Sequence, residues 1–154
     1  MPSSVLNAVF ATLHFLAIFA LAASIVAELL LYAPHISAPY VRRIQRLDLF
    51  FLFAAIAVVA TGLTRLFTSP QGPGFYAGNP IFWTKMGLFA IIGLLSIVPT
   101  RSFLRWNRSL EADGSVTVSP EEHRRIRGYI MAELVVLCFI PLCATLMARG
   151  IGLR

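Results

Sequence analysis

Residues 5–33, VLNAVFATLHFLAIFALAASIVAELLLYA, decide the fold. At about 1.5 Å per residue this proline-free stretch exceeds the roughly 30 Å of a bilayer's hydrocarbon core, so it reads as a tilted transmembrane helix. Its N-terminal flank lacks the positive region of a signal peptide, and the apolar run outlasts a signal core, so the segment is expected to remain as a mature helix. Two side chains that can carry a charge near neutral pH interrupt it, His14 and Glu28. They lie fourteen residues apart, about four turns, and so share one helix face. A carboxylate or imidazole facing lipid is costly, so that face must meet protein, ligand or water.

Three further apolar runs follow, giving helices at about 47–68, 80–104 and 122–151 in a single all-α membrane domain over 1–154. The whole chain is 58% hydrophobic and 13% charged, against about 45–50% and about 25% for a soluble domain. The net charge of +6 is concentrated in two loops. One holds Arg42, Arg43 and Arg46; the other holds Arg105, Arg108, Arg124, Arg125 and Arg127. The segment between helices 2 and 3, rich in glycine and proline, carries no charge. The positive-inside rule then places the arginine loops in the cytoplasm and both termini on the non-cytoplasmic side of the membrane. This distribution argues against nucleic-acid binding. Trp83, Phe82, Phe75 and Tyr76 at one boundary, and Trp106, Tyr32 and Tyr40 at the other, suit interfacial belts. Small residues such as Ala20, Ala23, Ser24 and Ala27 in helix 1, and Ala54, Ala55, Ala57 and Ala60 in helix 2, suit close helix contact. Cys138 and Cys143 read as small buried hydrophobes, and His35 and His123 as loop residues that are solvated or face the headgroups.

Sorted by depth, the intramembrane polar groups form two layers. The outer layer holds His14, Arg65 and Lys85, with no carboxylate. Either the two cations snorkel to headgroups, or the layer holds a bound anion. His14 is either hydrogen-bonded to protein or a ligand to a metal or cofactor. The inner layer holds Glu28, Asp48, Arg101 and Glu133, with Arg105 nearby, and is expected to neutralise itself. Met86 and Met147 are packing residues or second axial ligands.

Phe82-Trp83-x-Lys85 opening helix 3, Leu95-Ser96-Ile97-x-Pro99-Thr100 and Trp106 closing it, Arg46-Leu47-Asp48 entering helix 2 and Thr61-Gly62-Leu63-x-Arg65 leaving it resemble the bacterial membrane-protein family known as domain of unknown function 2214. That resemblance spans nearly the whole chain and implies no activity. A more distant likeness is to HemJ-type protoporphyrinogen oxidases and CopD-like membrane proteins, matched by His14, Thr61-Gly62, Trp83 and Lys85. It implies haem b, a functional pair formed by His14 and Lys85, and oxidation of a tetrapyrrole or electron transfer to a quinone. The sequence departs from that pattern where Pro99-Thr100 stands near the position of a later histidine in helix 3. It departs again in the last helix, where an Asn-Glu-x-Pro step is reduced to Glu133.

Three functions therefore compete. In the first, haem b or another tetrapyrrole sits in the outer half, with His14 on the iron and Met86 as a candidate second ligand, Arg65 and Lys85 on the propionates, and Trp83, Phe15 or Phe89 flanking the ring. In the second, His14, Glu28 and Glu133 relay protons or ions. In the third, the chain is a homo-oligomer or a subunit of a larger membrane complex, with the lipid bilayer as its common partner.

Overall fold

The computed structural model describes residues 2–33 and 37–152; His35 lies outside them. Its elements are α1 (Pro2–Leu31), α2 (Ala38–Thr68), the short α3 (Gly72–Ala77), α4 (Pro80–Asp113) and α5 (Pro120–Ala148). Among the described residues, α1 from Ser4, α2, α4 and α5 are each long and apolar enough to cross a membrane, and none forms a strand. α1 packs on α2 and α4 on α5, and the two hairpins join through α2–α4 and α1–α5 contacts.

The inward faces follow the spacing expected of packed helices. α1 buries Ala17, Leu21, Ser24, Ile25 and Glu28. α2 buries Val41, Ile44, Asp48, Phe51, Ala54 and Val58. α4 buries Ile92, Pro99, Phe103 and Trp106, and α5 buries Ile126, Ile130, Glu133 and Leu137. These steps of three, four and seven residues keep a narrow seam facing the neighbouring helices. Outside the seam the surface is apolar: Phe19, Leu30, Phe67 and Leu94 are each about two-thirds exposed or more. Buried carboxyls under a coat of exposed leucine and phenylalanine reverse the pattern of a soluble protein and suit a lipid solvent.

Both arginine segments are more helical than the sequence reading expects. α2 begins at Ala38 instead of 47, with Arg42, Arg43 and Arg46 on exposed turns, and α4 continues past 104 to Asp113. Arginine is a good helix former, and Pro39 suits a first turn, so nothing local stops these helices at the bilayer edge. α4 stops at Gly114, whose φ of 68° is left-handed, and α5 starts at Ser119, whose Oγ accepts the Glu122 N–H at 3.1 Å.

The two ends are closed differently. At the arginine-rich end Tyr32, Phe103 and Trp106 are buried together, and His123 stacks on Tyr32 with ring centroids 4.5 Å apart. Tyr32 and Trp106 are therefore core residues, not an interfacial belt, because both fall on the inward register of their helices. His123 is likewise half-buried on α5, not a solvated loop residue. Burial raises the pKa of the Tyr32 phenol, which stays protonated. At the end that holds both termini, the buried Asn79 accepts the Ile81 N–H at 2.9 Å and donates to the Ile151 carbonyl at 3.2 Å. One side chain thus caps α4 and ties down the segment after α5. Trp83 is exposed there, its indole N–H on the Ala77 carbonyl, as a boundary residue should be.

Small residues line only part of the α1–α2 contact: Ser24 and Ala54 are buried, whereas Ala23 and Ala60 face out. Cys138 also faces out, because the neighbouring Leu137 takes the inward position; Cys143 is half-buried.

Candidate functional site

One antiparallel register sets both polar layers. His14 on α1 meets Thr61 on α2; fourteen residues along α1, Glu28 comes within electrostatic reach of Asp48, thirteen residues back along α2. The same holds across α2 and α4, where Arg65 is within electrostatic reach of Lys85 and Asp48 meets Thr100.

At the termini end the layer is built around His14. Its Nδ1 lies 2.9 Å from Thr61 Oγ1, and that hydroxyl donates to the Ala57 carbonyl at 2.6 Å. A hydroxyl has one proton, so Thr61 accepts from the imidazole, and Nδ1 carries the hydrogen in the neutral ring. Nε2 then presents a lone pair. The Cε1 edge of the ring rests on Gly62, where an added Cβ would sit 3.1 Å away. Arg65 and Lys85 both face the imidazole electrostatically. Arg65 lies 5.9 Å from the Phe15 ring centroid, and Lys85 lies 5.6 Å from that of Phe82. The Arg65 Nε is buried with no hydrogen-bond partner. Trp83 and Met86 are turned outward and do not join this group. The inward line of α4 runs through Phe82, Lys85, Phe89 and Ile92, and Met86 is one residue off it.

A tetrapyrrole meets these residues in part. One imidazole nitrogen and two cations suit an iron and two propionates, while Met86 offers no second axial ligand from its outward position.

At the other depth the expected self-neutralising layer does not form. Arg101 is exposed, and Arg105 pairs with Glu122 at the end of the bundle. The physical reason is azimuth: Arg101 and Thr100 share a depth, but Thr100 falls toward α2 and donates to Asp48 Oδ1 at 2.6 Å. What remains inside is Glu28, Asp48 and Glu133, facing one another electrostatically. Among the described residues, no three histidine, cysteine or acidic side chains are grouped to hold a metal ion. Sequence reasoning missed Thr100 as a site residue. The step from Lys85 through Ile92 and Pro99, in sevens, was the signal that put its neighbour inside.

Four apolar helices with buried polar seams define an α-helical membrane protein of the four-span bundle class. The chain belongs to the family described as a predicted membrane protein, DUF2214, whose model matches residues 6–152. No curated protein and no solved structure matches it.

Proposed function

We propose that the chain binds an anionic, amphiphilic ligand in the half of the bundle that holds both termini, through His14, Arg65 and Lys85. The observation that carries this reading is the gathering of two cations and an imidazole in one intramembrane layer without a carboxylate, with the Arg65 Nε buried and unpartnered. An uncompensated pair of cations at that depth is costly, and an anion removes the cost while supplying acceptors. Among anionic ligands a tetrapyrrole is favoured, because its ring is apolar, its propionates suit Arg65 and Lys85, and the distant HemJ-type likeness rests on His14 and Lys85. Haem b would take the Nε2 of His14, with Thr61 fixing the ring from the other side. When bound it supplies one-electron chemistry, with a quinone as a suitable partner. The protein's own part is to orient the imidazole, neutralise the carboxylates and exclude water. By the positive-inside rule this half faces away from the cytoplasm across a bacterial inner membrane.

The test is a titration of the purified chain in mild detergent with haem b and, in parallel, with iron-free protoporphyrin. Arg65→Gln and Lys85→Gln should each weaken both ligands about tenfold, the worth of one charge-assisted hydrogen bond. His14→Ala should weaken only the iron form. Wild-type protein that binds neither compound overturns the tetrapyrrole reading.

A further inference from the structure

At the opposite depth lie three carboxyl groups that this reading does not use. Glu28, Asp48 and Glu133 are 2%, 7% and 1% exposed and come from α1, α2 and α5. α1 brings Ser24, whose hydroxyl is spent on the Leu21 carbonyl, and just past its end Tyr32 lies one turn beyond Glu28 with its buried hydroxyl unpartnered. α4 brings the Thr100 hydroxyl on Asp48 and the buried Ser102. Arg46, Arg101, Arg124, Arg125 and Arg127 are exposed, and Arg105 is engaged by Glu122. No cation therefore faces the three acids among the described residues.

The hydrogen-bond inventory is equally one-sided. Ionised carboxylates only accept, and two of these three have a buried oxygen that no donor reaches. Glu28 Oε1 and Glu133 Oε1 are buried with no partner. Pro99, buried inside α4 beside Thr100, has no N–H and so leaves the Leu95 carbonyl without its helical donor. Among the described residues Asp48 alone of the three accepts a hydrogen bond, from the Thr100 hydroxyl. A proton on a carboxyl removes a charge and creates a donor at once, which answers both deficits.

We propose that Glu28, Asp48 and Glu133 form a proton-binding site, in which three carboxyl groups from three helices share at least two exchangeable protons inside the bundle. The protons reside on Glu28 and Glu133, and Asp48 keeps its charge against the Thr100 hydroxyl. Protons enter from and return to water with no other bond made or broken.

The test is infrared spectroscopy of the full chain in lipid nanodiscs at neutral pH, comparing light and heavy water. Wild type should show the carbonyl-stretch band of protonated carboxylic acids, shifting on deuteration. Glu28→Gln and Glu133→Gln should each lose about half of it, and the double variant nearly all, whereas Asp48→Asn should keep most; glutamine matches a neutral acid in shape, so helix content by circular dichroism should hold. A wild type with no such band at neutral pH overturns the proposal whether or not the variants fold. So does a band that appears only when sodium is replaced by choline, which would make the cluster a metal-cation site.

Discussion

The Nδ1 of His14 donates to Thr61 Oγ1 across the α1–α2 interface, and the same oxygen passes its own proton to the Ala57 carbonyl. This chain of two bonds fixes the tautomer and aim of the one histidine within the described transmembrane depth. Thr61→Val keeps the shape and removes the acceptor. It should cost about 1 kcal/mol of stability by unfolding in detergent, a usual worth for such a bond. It should also weaken haem b binding, and Thr61→Ser should restore both.

Gly62 lets α2 approach the imidazole. A Cβ there would press on His14 Cε1 at 3.1 Å, whereas one at Gly87 meets nothing within 4 Å. Both alanine variants gain up to about 1 kcal/mol of helix propensity. Only Gly62→Ala also carries an overpacking cost of about 1 kcal/mol or more. Gly87→Ala should therefore be the more stable of the two in paired thermal unfolding, and only Gly62→Ala should disturb ligand binding at His14.

Thr100 and Arg101 are adjacent, and the structure gives them opposite weights. Thr100→Val removes the only donor to Asp48 among the described residues and should destabilise by about 1–3 kcal/mol. Arg101→Gln alters an exposed side chain and should stay within about 0.5 kcal/mol of wild type. Chemical unfolding in detergent separates the two, and equal losses would restore Arg101 to the inner layer.

Asn79 is wholly buried and serves both the start of α4 and the segment after α5. Asn79→Ala should cost about 2 kcal/mol, a lost cap together with a lost tertiary bond. Gly152, at φ +88° and with a Cβ position 2.7 Å from Asn79 Oδ1, should not accept alanine without loosening the same end. Limited proteolysis after α5 reads both variants.

The spans and the depth of each polar group were legible because apolar runs are long and the helical rise is fixed. His14 with Arg65 and Lys85, and Glu28 with Asp48 and Glu133, emerge from counting turns alone. Azimuth was not legible: whether Thr100 or Arg101, Lys85 or Met86, Leu137 or Cys138 turns inward depends on which seam the neighbours offer. Helix ends were also misplaced, since Arg42 to Arg46 and Arg105 to Arg108 are charged enough to look like loops yet are good helix formers. Tyr32 and Trp106 looked interfacial by composition and His123 looked like a loop residue, but their register stacks them at the arginine-rich end.

The most direct test of the ligand site is the absorption spectrum, reduced against oxidised, of the chain purified in mild detergent from a haem-sufficient host. The account predicts a Soret band near one haem per chain, lost in His14→Ala while the variant remains folded. A colourless wild type that also fails to take up added haem b would contradict it.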